Sequence, residues 1–306
     1  MKDSVSRSLS SADALSSARA VKLASPIAMA APVLKIATFH SSSLGSLFAS
    51  LPALVALRDS FPGAHICSYA RAPFLPVLDA FSACDEAHAR PGGGLSSQAA
   101  LMAHLHGANY DLALSFSQGS NALLLMWATR APIRAGFVPS HFDAFLTHRT
   151  PKSGPLRPLH ALELARCVGA SPRGEKARDW LRFSPEILAR ADALLAEIDG
   201  PFLLAAPETG RRSEKKIDLF RPALQTLSAH YPVVVAGLKK ESYAFAAADL
   251  SGQTDVLTFA AIAQRSRGVV SPALGPLQVA RFFDKPSLTL PPGADVLLDA
   301  RHTFGF

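Results

Sequence analysis

"LKIATFHSSSLGSLFASLPALVALRDSFPGAHI", residues 34–66, is the stretch on which the fold turns. It opens on an apolar run, breaks at a Ser-rich turn ending in Gly45, continues as an apolar helical segment and turns at Pro62-Gly63 into a second apolar run. Strand, turn, helix, turn and strand make a βαβ unit, which joins parallel strands. A glycine-bearing turn that opens a helix also suits a phosphate.

The alternation continues outward from this unit. Strands are expected at 33–38, 64–69, 111–115 and 133–137, with helices near 47–59, 73–81, 96–106 and 119–129. A loop rich in Pro, His and basic residues follows at 136–158, then a helix at 158–168. The segment "SPRGEKARDWLRFSPEILARADALLAEID", 171–199, reads as a join, its second part an amphipathic helix started by Ser184-Pro185. The pattern then restarts. Strands are expected at 202–206, 232–237, 268–271 and in "PSLTLP", 286–291, and helices at 217–229, 241–248, after "TDV" at 254–256, and at 276–283. Two doubly wound, Rossmann-like α/β halves over 33–184 and 185–306 are the expected fold, and such sheets bind ligands beyond the carboxyl ends of their strands.

Composition sets limits on function. The chain has 306 residues, 49% of them hydrophobic, enough for a large core and about two domains. A net charge of +7 favours anionic partners. Nucleic acid is not expected, because no helix-turn-helix, zinc-finger or aromatic RNA-binding pattern accompanies the charge. Three scattered cysteines without C-x-x-C speak for a reducing compartment and against a disulfide frame or a zinc site, so no metal is expected. No apolar run is long enough to span a membrane. Residues 1–32, rich in Ser and Ala, read as a disordered extension or an upstream start, with a transit peptide as the alternative.

Four segments together resemble the heptosyltransferases, the family-9 glycosyltransferases. They are "SSLGSLFASLPALVALRDSFPGAHI" (42–66), "YDLALSFSQGSNALLLMWATRAPIRAGF" (110–137), "HALELARCVGA" (160–170) and "DLSGQTDVLTFAAIAQRSRGVVSPALGPLQVARFFDKPSLTL" (249–290). The resemblance implies a GT-B architecture of two lobes facing across a cleft, the acceptor bound by the first and a nucleotide sugar by the second. It also implies inverting, metal-independent sugar transfer from a donor such as ADP-heptose to lipopolysaccharide core, without a cofactor, in the cytoplasm or peripherally at the inner membrane.

The same resemblance assigns roles, and two of them meet a substitution. The family's base is an aspartate after the turn glycine; here Gly45 is followed by Ser46. His40, at the end of the first strand, is the candidate substitute, because an imidazole of ordinary pKa accepts a proton near neutrality. Its alternative is phosphate binding or a hydrogen bond to the turn. The second substitution is at "SPALGP", where Pro272 and Ala273 replace an asparagine and an aspartate, while Gly275 and Pro276 remain to open a helix toward a diphosphate.

In "PETGRRSEKKIDLF", 207–220, Lys215 matches the family's phosphate-contacting lysine, with Thr209, Gly210 and Arg212 beside it; the other reading is a solvated charge run. Glu241 corresponds to a ribose-binding glutamate or is a helix-capping charge. On the acceptor side stand Ser43, Gly45, Gln118, His141 and Arg149, the last two in a loop also holding His148, Lys152, Arg157 and His160. Asp111 and Gln118 suit structural roles as well. "RPGGGLSS", 90–97, lacks the Lys-Ser/Thr of a phosphate loop and reads as a connector.

Two function classes follow. One is a divergent glycosyltransferase. The other is a catalytically degenerate member that binds a nucleotide, a glycan or another glycosyltransferase, itself included, as a subunit. A general base contributes about a hundred- to ten-thousand-fold in rate, so loss of the acid weighs toward the second class, and the retained basic and Gly-Pro features toward the first.

Overall fold

The computed structural model describes residues 32–91, 95–207, 214–237, 240–289 and 296–305. The expected extension, up to residue 31, lies outside them, as do Thr209, Gly210 and Arg212.

Six strands build the first sheet: β1 (Lys35–Phe39), β2 (His65–Ala70), β3 (Glu86–Ala89), β4 (Leu112–Ser115), β5 (Ile133–Val138) and β6 (His148–Pro151). All pair in parallel, in the order β3-β2-β1-β4-β5-β6. Five build the second: β7 (Leu203–Ala205), β8 (Val233–Gly237), β9 (Ala248–Ser251), β10 (Gly268–Val270) and β11 (Ser287–Leu288), also parallel, in the order β11-β10-β7-β8-β9. The winding reverses beside the first strand of each sheet, between β1 and β4 and between β7 and β10. A crevice opens beyond the carboxyl ends of strands at such a point.

The helices are α1 (Leu44–Ser60), α2 (Leu75–Asp79), α3 (Leu95–Gly107), α4 (Ser120–Ala128), α5 (Pro158–Arg166), α6 (Pro185–Leu194), α7 (Glu214–Ser228), α8 (Val256–Arg265), α9 (Leu274–Phe282) and α10 (Val296–Phe304). The apolar helix of the opening stretch is α1, buried on every side: Leu47, Phe48, Leu51, Leu54 and Leu57 are all inaccessible or nearly so. A helix apolar all round must be enclosed. Here α5 encloses it on one flank and α9, from the second sheet, on another. Phe48 meets Phe282 edge to face with centroids 5.2 Å apart. One apolar core therefore runs from Ile36 and Leu54 to Leu204, Val234 and Leu277, through both sheets.

The region of the expected join divides. Trp180 and Leu181 attach to the first sheet's side, where Ser82 N–H donates to Trp180 O at 2.9 Å. Ser184 caps α6, and α6 lies against α8, with Arg190 Nη1 2.9 Å from Asp255 and Arg265 Nη2 2.8 Å from Asp192.

The structure corrects the expected elements in several places. The helix expected at 241–248 is a turn leading into β9. The Asp249 carboxylate accepts from Tyr243 N–H at 2.8 Å and Ser251 N–H at 3.1 Å, a local alternative to helical hydrogen bonds. β3 and β6 were not expected because each is a four-residue edge strand with a half-exposed pattern, and edges are commonly kept short and polar. Pro151 is tolerated at the end of such an edge. Near the chain's end, α10 covers the second sheet, with Ala300 and Phe304 buried against Leu203, Val235 and Val270. The Phe304 ring presses on Gly268 so closely that a Cβ there has no room.

Candidate active site

The carboxyl ends of the two sheets converge on a pair of turns. After β1 the chain passes through Ser43, whose extended backbone caps α1 and whose Oγ accepts from Ser46 N–H at 3.3 Å and donates to Ser46 Oγ at 2.8 Å. After β10, Ser271 Oγ donates to Ala206 O at 2.7 Å and accepts from Ala273 N–H at 3.1 Å, which shapes the start of α9. Ala273 caps α9 without a side-chain acceptor, and no acid stands in the helix's first turn. The amides of Leu274 and Gly275 in that turn have no intrahelical acceptor, and the helix dipole adds positive potential.

These turns touch. A Cβ on Gly45 would lie 2.9 Å from Gly275 Cα, so only glycine permits this approach of α1 and α9. Beside the contact is a cavity of about 340 Å³, lined from the first sheet's side by Ser43, Leu44 and Phe74. From the second side it is lined by Ala206, Gly237, Thr254, Phe259, Ala273, Gly275 and Pro276, among others. It therefore sits beyond the carboxyl ends of β7, β8 and β10, at the second sheet's switch point. Thr254 Oγ1 is buried there without a hydrogen-bond partner. No described lining residue carries a side chain that titrates near neutrality.

The structure brings Ser43, Gly45, Gly275 and Pro276 to this cavity or its rim, and gives other candidates different work. His40 has no exposed surface. Its Nδ1 lies 2.8 Å from Ser50 Oγ, its Nε2 3.2 Å from Thr38 Oγ1, and its ring stacks on Phe116 at 5.4 Å. Ser50 Oγ already donates to Leu47 O at 2.6 Å, so Nδ1–H of the imidazole is the donor to Ser50. Burial, then the charge of Arg90, pushes its pKa down to about 3. The expectation of His40 as base is thus corrected. It is a neutral imidazole joining β1 to α1, and no acceptor hydroxyl can reach it. Ser46 belongs to the cap of α1, and the imidazole expected to stand in for the missing acid faces Ser50 instead.

Glu241 starts no helix. Its carboxylate accepts from the Tyr243 hydroxyl and lies 3.8 Å from Arg221, whose guanidinium sits 4.5 Å over the Tyr243 ring. Gln118 Nε2 donates to Pro139 O at 2.9 Å. His141 is exposed in a turn, and Arg149 is exposed on the edge strand β6, three strands from β1. Neither lines the cavity. Asp111 accepts from the N–H groups of Leu34 and Lys35 at 2.8 and 2.9 Å, a structural role. Lys215 stands in the first turn of α7, the helix that follows β7; its side chain is outside the described residues.

Sequence reasoning missed Arg90. It follows β3, is only 8% exposed, and donates from Nη2 to His40 O, while its Nε is buried with no partner. No carboxylate pairs with it among the described residues. Burial, then Arg71, pulls its pKa down to about 10, so it remains a cation at neutral pH. The signal was a basic residue at the carboxyl end of a strand, but the strand itself was not expected and Arg90 read as part of a connector.

Three comparisons bear on this geometry. No family model matches the chain, and no curated protein sequence matches it. Solved structures do. A family-9 glycosyltransferase from Veillonella parvula DSM 2008 superposes with a TM-score of 0.65 at 17% identity, over 84% of this chain and 80% of that one. The fold is similar to that of heptosyltransferases. The E. coli ADP-heptose lipopolysaccharide heptosyltransferase II gives a TM-score of 0.64 at 18% identity, with 84% of each chain covered. The UDP-GlcNAc 2-epimerase of Methanocaldococcus jannaschii gives 0.50 at 10% identity, over 88% of this chain and 86% of that one. The likeness to heptosyltransferases expected from the four segments is therefore present in the fold, as is the two-sheet GT-B arrangement.

Proposed function

We propose that the crevice between the two sheets binds a nucleotide sugar, and that the protein is a divergent glycosyltransferase acting on an acidic glycan. The observation that carries this reading is the convergence of α1 and α9 on one cavity, with the uncapped amino end of α9 at its wall. A diphosphate there accepts the amides of Leu274 and Gly275, and Lys215, in the first turn after β7, supplies a cation. The apolar walls at Val256 and Phe259 suit a base or ribose face, with the Thr254 hydroxyl as a polar contact. Arg90 extends the preference for anions to the first sheet's side.

A second reading, binding without transfer, is favoured by one specific observation. Ser46 replaces the acid that the resemblance implies, and no described residue lining the cavity can take a proton. Heptose as the sugar and lipopolysaccharide core as the acceptor rest on the resemblance and on the heptosyltransferases among the structural neighbours.

Calorimetric titration with ADP, UDP and ADP-heptose tests the proposal. Saturable binding of a nucleoside diphosphate is expected, lost in Lys215→Ala and in Ala273→Trp, which obstructs the cavity beside α9. No binding of any of the three sinks the nucleotide reading. Release of ADP from ADP-heptose in the presence of an acceptor then separates transfer from binding alone.

A further inference from the structure

β2 and β3 pair with Cys67 opposite Glu86 and Tyr69 opposite His88. Alternate residues of a strand share a face. His65 and Cys67 of β2 therefore lie on the same side of the sheet edge as Glu86 and His88 of β3. His65 Nε2 is 3.0 Å from Glu86 Oε1, His88 Nε2 is 2.9 Å from Glu86 Oε2, and Cys67 Sγ is 4.0 Å from the same oxygen. One donor atom from each of His65, Cys67 and Glu86 lies within 4.8 Å of the other two.

We propose that His65 Nε2, Cys67 Sγ and the Glu86 carboxylate form a transition-metal site of the zinc class. Bonds of about 2.0–2.3 Å in a tetrahedron place ligand atoms roughly 3.5 Å apart, so side-chain shifts of about an ångström bring the three donors to bonding distance, with water to fill the fourth position. The donor set is one nitrogen, one sulfur and one oxygen. Zinc accepts this mixture, whereas calcium and magnesium want oxygen alone. One thiolate and one carboxylate balance a divalent charge, and the thiol proton leaves to solvent as the metal binds. Cys67 forms the buried floor, and His65 and Glu86, each partly exposed, leave a way in.

The surroundings fit as well. His88 holds Glu86, and the Asp85 carboxylate stands 3.9 Å from the other ring nitrogen of His65, as carboxylates stand behind metal-bound imidazoles. Asp85 is itself fixed by Arg58 and by Ile66 N–H at 2.7 Å. Burial raises the Cys67 thiol above its ordinary range, offset in part by the Tyr110 hydroxyl and by Lys35, whose ammonium lies 5.1 Å over the Tyr110 ring, so the metal itself has to displace the thiol proton. Such a metal pins edge strand β3, which leads into Arg90, to β2. His65 opens β2, so the site lies toward the amino ends of the strands, away from the crevice. The proposal is independent of what the crevice binds, and it departs from the expectation of no metal drawn from cysteine spacing.

Cobalt(II) titration of the chelator-treated, reduced full chain is the test. One equivalent is expected to bind with a thiolate-to-cobalt charge-transfer band that zinc abolishes by displacement. Cys67→Ser removes the band, while Cys84→Ser and Cys167→Ser keep it. His88→Ala keeps the band with affinity lowered about ten- to hundred-fold, and the exposed Glu86→Gln weakens binding with an unchanged circular dichroism spectrum. Absence of the band in the wild-type protein overturns the proposal, and so does a band that survives Cys67→Ser.

Discussion

His40 shows how a residue chosen for its ordinary chemistry changes character when enclosed. Free imidazole titrates near neutrality, yet desolvation removes the charged form when no anion offsets it. With a folded pKa of about 3 against an ordinary 6.5, the unfolded chain takes up a proton that the folded chain refuses between those values. The stability that goes with the neutral imidazole is complete above pH 6.5 and falls as the pH drops toward 3, by up to about 1.4 kcal/mol per pH unit. His40→Gln keeps polar groups near Ser50 and Thr38 but does not titrate. Its urea midpoint is expected to fall less between pH 7 and pH 5 than that of the wild-type protein. An equal fall in both places the pH dependence elsewhere.

At the scale of elements, the α1–α9 contact governs the crevice. Gly45 and Gly275 both stand in the first turns of these helices, but their surroundings differ. A Cβ on Gly275 meets nothing closer than 3.7 Å, whereas one on Gly45 meets Gly275 backbone at 2.9 Å. Gly45→Ala is therefore expected to cost about 1–3 kcal/mol by overpacking. Gly275→Ala is expected to be neutral, or stabilising by about 0.5–1 kcal/mol through lower backbone entropy in the unfolded chain. Denaturant midpoints of the two variants measure the difference directly. The two glycines look alike in sequence, and their inequality is visible only when α9 is brought against α1.

For the whole molecule, the shared core decides cooperativity. The two sheets are separate, yet α1 carries the apolar core of the first into that of the second. Arg178 reinforces the join, since its Nη1 lies 2.5 Å from Asp284, just past the end of α9. A single unfolding transition is expected in spite of the chain's length. Both tryptophans, Trp127 in α4 and Trp180 beside α1, report on the first sheet's side, while far-ultraviolet circular dichroism reports on both. Coincident denaturant curves from the two signals are expected, and a biphasic dichroism curve would separate the lobes.

Much of this protein was settled by its sequence alone. Runs such as "LALS" and "VVVAG", buried on both faces in a parallel sheet, together with Gly-Pro helix starts, are local signals, and they specified the alternating α/β halves and the turns at Gly45 and Gly275. The short edge strands β3 and β6 escaped because half-exposed, four-residue segments carry too little periodicity. Tertiary structure alone decided which polar residues face a ligand. Burial and pairing are properties of neighbours distant in sequence: Ser50 and Phe116 enclose His40, Tyr243 and Arg221 occupy Glu241, and Arg90 is left charged with no carboxylate partner among the described residues. The pairing register of β2 and β3, not any spacing along the chain, gathers His65, Cys67 and Glu86 on one face.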